Sequence, residues 1–252
     1  MGDPLRSRLK KAGCDVTHPH DISTYQNTLL ALLSSEDLAL LQPHLEPIDL
    51  PKKFVISEPG KPAPYAYFLE SGLGSMVASS PDGLEIEAGI FGRDGVGPSF
   101  VTLSLDQGPH RHFMQMAGAG NRILVSHFAN ALELSSSLRH LMLRYAQAYA
   151  TQASFTALSN AVHPIEERLA RWILMCHDRS ESDDMALTHE FLSIMLAVRR
   201  PSVTTALHVL EGNGFISLDR GYVTVVRQAL EDFAGDAYGK PEAEYRRLIG
   251  PL

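Results

Sequence analysis

Arg199 and Arg200 stand side by side in "LAVRRPSVTTALHVLEGNGFI", Leu196 to Ile216, followed by Pro201, a run of small hydroxyl residues and His208. An arginine fork can donate two parallel hydrogen bonds to one guanine edge in the major groove. Short hydroxyls and the free amides of a helix N-terminus suit phosphate oxygens. No Asp or Glu occurs from Phe191 to Leu210, in a chain whose net charge is −7. A negative chain does not coat nucleic acid unspecifically. Contact with DNA therefore has to come from a local basic face of this kind.

The surrounding spacing supplies the elements that would hold these side chains. Thr188 is a suitable N-cap for "HEFLSIML", in which Leu192 and Leu196 stack one turn apart. A turn over Ala197 to Arg200 leads to Pro201 at the first position of a second helix, whose Val203, Leu207 and Leu210 share one face. With those three inward, Arg199, Arg200, Ser202, Thr205 and His208 are left near the start and outer face. Gly212 and Gly214 stop the helix, and "FISL", "DRG" and "YVTVV" read as a hairpin with Arg220 at its tip. The pattern predicts a winged helix-turn-helix that inserts the start of its second helix into the major groove.

Upstream, the periodicity changes twice. From Ile48 to about Arg122 short apolar pieces such as "YAYFLESG", "GSMVASS" and "EIEAGIF" alternate with Gly and Pro turns, which predicts an antiparallel barrel or sandwich with room for one small ligand. Leu134, Leu138, Leu141, Tyr145, Ala148, Gln152, Phe155, Ser159 and Val162 then recur at alternating steps of four and three. That is the seam of a two-stranded coiled coil, and it predicts a homodimer. "TLLALLSSEDLALLQPHL", broken by Ser34, Ser35 and Pro43, predicts short helices ahead of the strands. The expected organisation is a flexible tail over 1–25, an α+β chain with a strand domain over 26–130, a dimerisation helix over 131–162, and the winged unit over 163–252.

Composition excludes other classes. At 252 residues the chain is longer than the roughly 50 to 200 residues of a typical single domain, so two domains are expected. Its apolar runs, none longer than Leu29 to Leu33, are too short to span a bilayer, and the basic N-terminus lacks the apolar stretch of an export signal. Cys14 and Cys176 make neither a disulfide framework nor a thiolate metal site, so a reducing cytoplasm is expected. No Ser-His-Asp order, P-loop or dinucleotide fingerprint appears, so an enzyme is not expected. His110, His112 and His127 lack a neighbouring cysteine or carboxylate, and neither metal nor another cofactor is expected.

In order and spacing, "YFLESG", "GRDGVG", "PIEERLARWIL" and above all "LTHEFLSIMLAVRRPSVTTALHVLEGNGFISLDRGYVTV" resemble the cyclic-AMP receptor protein/Fnr family of bacterial transcription regulators. The resemblance implies a jelly roll of the cyclic-nucleotide-binding type, a dimer helix and a winged reader of near-palindromic double-stranded DNA, with RNA polymerase as a further partner. It carries the DNA-contacting roles to His189, Arg199, Arg200, Ser202 and Thr205. Pro201 stands where many relatives have a base-reading glutamate, which implies a different operator. The family's ligand cassette implies an effector pocket at Gly97, Pro98, Ser99, Arg111 and His112. There, however, the ribose-binding carboxylate is replaced by Pro98, and the phosphate-binding arginine is followed by His112 instead of a small hydroxyl residue. The expected effector is thus something other than cyclic AMP, or none; the alternatives are a cyclic-nucleotide-responsive regulator and a ligand-sensing scaffold that does not bind DNA.

Overall fold

The computed structural model describes residues 25–180 and 182–251. The expected tail up to residue 24, with Cys14, lies outside them. The first elements are the short helices α1 (Thr28–Ala31) and α2 (Ser35–Leu41). Asn27 caps α1 by accepting from the amides of Leu29 and Leu30, while its Nδ2 donates to the carbonyls of Leu69 and Gly95. One buried amide thereby ties the chain's entry to the strands that follow.

Eight strands come next: β1 (Glu46–Leu50), β2 (Val55–Ser57), β3 (Tyr65–Leu69), β4 (Leu73–Ser79), β5 (Glu85–Phe91), β6 (Val96–Gly97), β7 (Arg111–Met116) and β8 (Gly118–Leu124). They form two antiparallel four-stranded sheets, ordered β1-β8-β3-β6 and β2-β7-β4-β5. The architecture is jelly-roll-like and not a closed barrel. Phe68, Met76, Phe91, Met114 and Ile123 are buried in the core of this domain, which Leu29 and Leu41 join from the leading helices. This is the alternation of inward apolar positions that the strand pattern demands.

The expected single helix over 131–162 is two helices, α3 (Val125–Leu134) and α4 (Ser136–Val162). Ser135 separates them because its hydroxyl caps α4 at the Leu138 amide while donating to the carboxylate of Asp37 on α2. The predicted dimer seam is also corrected. Leu138, Leu141, Tyr145, Ala148 and Gln152 are buried inside their own domain, Leu134 is exposed on α3, and Phe155 is half-buried. Two polar anchors show why: Gln152 Oε1 accepts from the Ile90 amide of β5 at 2.7 Å, and the Tyr145 hydroxyl donates to the Val96 carbonyl at 3.3 Å. The stripe left outward on α4 is Leu143, Gln147, Ala150, Ser154, Ala157 and Ala161, flanked by exposed Leu158 and Val162. It has the same alternating spacing on the opposite face of the helix.

The C-terminal part comprises α5 (Ile165–His177), β9 (Asp184–Ala186), α6 (His189–Met195), α7 (Arg200–Gly212), β10 (Ile216–Asp219), β11 (Tyr222–Val225), α8 (Arg227–Ala234) and α9 (Lys240–Leu248). Leu169, Ile173, Leu192, Val203, Leu207 and Leu210 build its core, to which Leu73 and Ile90 of the sheets also contribute. β9 pairs with β11 and widens the wing to three strands. α9 leaves this unit and packs on α4, where the Tyr245 hydroxyl donates to the Asp94 carbonyl at 2.6 Å. The range expected for the winged unit, 163–252, thus ends in a helix whose Tyr245 belongs to the core of the N-terminal domain. No helix among the described residues is long and apolar enough to cross a membrane.

Candidate nucleic-acid interface

Thr188 caps α6, its Oγ1 accepting from the Phe191 amide at 3.4 Å, and Phe191 packs edge-on against Trp172 of α5 with ring centroids 4.7 Å apart. The chain then turns through Ala197, whose φ of 51° lies in the left-handed region. Arg199 is the N-cap of α7, Arg200 its first residue and Pro201 its second, so the helix begins one residue earlier than the proline suggested. A proline is tolerated in the first turn, where no intrahelical partner awaits its missing N–H. Arg168 of α5 steadies the turn from beneath by donating Nη2 to the Leu196 carbonyl.

The amphipathic division of α7 matches its sequence. Val203, Ala206, Leu207 and Leu210 are buried, while Arg199, Arg200, Ser202, Thr205 and His208 are exposed. Thr205 donates to the Pro201 carbonyl and Thr204 to that of Arg200, each at 3.2 Å. Exposed His189 sits beside them, its Nδ1 3.2 Å from Thr204 Oγ1, so α6 and the first turn of α7 present one continuous polar face. Thr204 is the member of this face that the helical spacing alone did not single out. At the wing, Arg220 and Gly221 take φ values of 44° and 88° between β10 and β11. Positive φ at both central residues is the turn whose twist suits a two-residue hairpin. Arg220 reaches solvent there, 3.9 Å from Asp219.

Of the residues of the expected effector pocket, Gly97, Ser99 and His112 gather around Phe91 and Met76, while Arg111 does not join them. Successive strand residues point to opposite faces, so His112 turns inward on β7 while Arg111 stays outside, 3.8 Å from Glu58 and over the Phe113 ring. Gly97 is covered by Phe91: a side chain at Gly97 would meet that ring at 2.2 Å. Ser99 donates to Met76 Sδ at 3.9 Å. His112 Nδ1 lies 2.8 Å from Ser57 Oγ, its Nε2 is buried without a partner, and burial lowers its pKa to about 3. The imidazole is therefore a neutral core group. His110 lies just ahead of β7, which begins at Arg111. His127 packs at a tilt against His44 of the leading segment, with centroids 4.1 Å apart.

Residues 167–233 match the family model of the Crp-like helix-turn-helix domain. The chain carries a Crp-like helix-turn-helix domain. The match runs from α5 to α8, so it takes in α6, α7 and the wing and leaves α9 outside. No curated protein matches the sequence. Solved structures share the fold beyond the Crp-like domain. FixK2 from Bradyrhizobium japonicum is 17% identical with a TM-score of 0.65, covering 76% of this chain and 98% of its own. TTHB099, a CRP-family transcriptional regulator from Thermus thermophilus, is 20% identical with a TM-score of 0.61, covering 75% and 96%. The c-di-GMP-responsive regulator CLP from Xanthomonas campestris is 17% identical with a TM-score of 0.57, covering 76% and 99%. The Crp-like domain thus sits in a chain with the Crp/Fnr arrangement of two sheets, long helix and winged unit.

Proposed function

We propose that the protein is a homodimeric, sequence-specific DNA-binding transcription regulator of the Crp/Fnr type, acting in the cytoplasm and controlled by an effector other than cyclic AMP or by none. The observation that carries this reading is the exposed face of α7, where Arg199, Arg200, Ser202, Thr205 and His208 lie together in a domain that matches the Crp-like family model. Arg200, at the very start of the helix, would read a guanine. Ser202, Thr205, His189 and Arg220 would hold phosphates on either side, which positions the helix without reading sequence. A helix N-terminus adds its own partial positive charge toward the groove.

One reader contacts too little DNA to find a single site in a genome, and a two-fold dimer doubles the contact. The outward stripe of α4, from Leu143 to Ala161, offers small and apolar residues at coiled-coil spacing, and it takes over the dimerising role first expected of the buried stripe. Two α7 helices would then meet half-sites about one DNA turn apart, roughly 34 Å. Pro98 in place of the ribose-binding carboxylate and Phe91 over Gly97 support an effector that is not cyclic AMP. RNA polymerase is the further partner such a regulator would engage.

Selection of bound duplexes from a randomised pool by the full-length protein tests the reading. A near-palindromic consensus is expected, with half-sites one turn apart and affinity falling steeply with salt. Recovery of unenriched sequence, or binding indifferent to salt, would overturn it.

A further inference from the structure

Glu87 of β5 is 3% exposed and stands where the sheets meet the DNA-reading unit. Its Oε2 accepts from Ser75 Oγ of β4 at 2.7 Å, and its Oε1 accepts from Trp172 Nε1 of α5 at 2.8 Å. One residue before Trp172, Arg171 is 4% exposed, and its Nε and Nη2 have no hydrogen-bond partner. Unsatisfied buried donors are costly, and more so when charged. A buried carboxyl engaged by neutral donors thus stands at the seam between two domains, within the electrostatic influence of a buried guanidinium whose Nε and Nη2 lack acceptors.

We propose that Glu87 and Arg171 form a proton-dependent latch between the sheets and the winged unit. Protonated, Glu87 holds Trp172 only through one neutral oxygen. Ionised, it gives its proton to solvent, accepts more strongly from both Ser75 and Trp172 and is attracted by Arg171, which tightens its hold on Trp172. Trp172 packs on Phe191 of α6, so the change reaches the helix-turn-helix through one ring contact.

The remaining groups around the pair fit this assignment. Burial pushes the Glu87 carboxyl up to about 8, against the bonds from Ser75 and Trp172 and the attraction of Arg171 and Arg179. Burial lowers the Arg171 pKa, which Glu242 of α9 and Glu87 oppose. Glu242 is itself engaged as an acceptor for the Gly239 amide at 2.9 Å, and Arg179 is held by Asp94. Tyr149 of α4 faces Glu87 with a buried hydroxyl that has no partner, and burial holds that phenol and the Cys176 thiol well above their usual ranges. Neither of those groups ionises near pH 8, and Tyr238, which also faces Arg171, is likewise raised by burial.

Trp172 is the chain's single tryptophan, so its emission reads the latch directly. In the full-length protein, titration from pH 6 to 9.5 should show one emission transition centred about pH 8. Glu87→Gln, whose amide can serve both Ser75 and Trp172, should abolish it; Arg171→Met and Ser75→Ala should move it to higher pH. Cys176→Ser and the exposed Glu85→Gln should leave it in place. A flat profile in the native sequence, or an unchanged transition in Glu87→Gln, overturns the latch. Only its effect on DNA rests on the function proposed above. If the selected duplex binds with the same affinity at pH 6.5 and 9 while Trp172 titrates, the link to reading is overturned; if no duplex binds at all, the DNA-binding reading fails and the emission transition still decides the latch.

Discussion

Asp94 and Arg179 meet in a two-pronged ion pair, Nη2 to Oδ2 at 2.6 Å and Nε to Oδ1 at 3.0 Å, with each side chain 4% exposed. The pair joins the turn between β5 and β6 to the chain leaving α5. Burial alone would favour loss of the arginine's proton, but attraction to Asp94 and Asp178 more than reverses this, so Arg179 stays charged. Asp94 also accepts from the Gly92 amide at 2.7 Å, which fixes its own turn.

Removing one partner strands the other charge in a dry site. Asp94→Ala should lower unfolding free energy by about 3 to 5 kcal/mol in a urea titration, whereas Asp94→Leu with Arg179→Met should recover much of that loss. A change under about 1 kcal/mol in the single variant would mean that water reaches the pair.

Arg200→Ala should cost about 1 to 3 kcal/mol of affinity for the selected operator and less for a scrambled duplex at the same salt concentration. Equal losses on both would make Arg200 a phosphate contact, leaving base reading to its neighbours.

The two stripes of α4 make opposite predictions. Leu158→Glu, on the outward face, should shift the protein toward monomer in sedimentation while leaving thermal stability within about 0.5 kcal/mol per chain at concentrations where the protein is already monomeric. Tyr145→Ala, on the buried face, should cost about 3 to 5 kcal/mol because it opens a cavity against the sheets. Loss of dimer without loss of stability in Tyr145→Ala would restore the first-expected seam.

His112 has its pKa lowered to about 3, below the unfolded value of about 6.5. Its contribution to stability is thus present above about pH 6.5 and is lost as pH falls from there toward 3, at about 1.4 kcal/mol per pH unit. His112→Gln, which can still meet Ser57, should flatten this part of the acid limb in a pH series of urea titrations.

Ala197 adopts the left-handed conformation in the turn between α6 and α7. A Cβ costs roughly 1 to 2 kcal/mol there, partly offset by the greater chain entropy of glycine when unfolded. Ala197→Gly should therefore leave stability unchanged or raise it by up to about 1 kcal/mol in thermal melts.

The sequence by itself determined the local units. The i, i+4, i+7 apolar row of α7, the Thr188 cap, the Gly stops and the turn at Arg220 and Gly221 are short-range signals, and each element formed within a residue or so of where they put it. Because α7 has a single apolar face, burying it dictates which side chains face out, and the candidate DNA-contacting set was legible before any tertiary structure.

Only the tertiary structure decided which of two equally spaced stripes of α4 meets the sheets, since a 3.5-residue period fixes a stripe's direction but not its partner. Alternation on β7 parts Arg111 from His112, but it could not announce which of the two turns inward, or that Phe91 closes over Gly97. Nor could it bring Glu87, Arg171 and Trp172 together: the carboxyl lies more than eighty positions before the indole, and its burial comes from two domains packing on each other. Burial is a property of that packing, and with it came the displaced proton equilibria and the orphaned donors that the chain alone does not reveal.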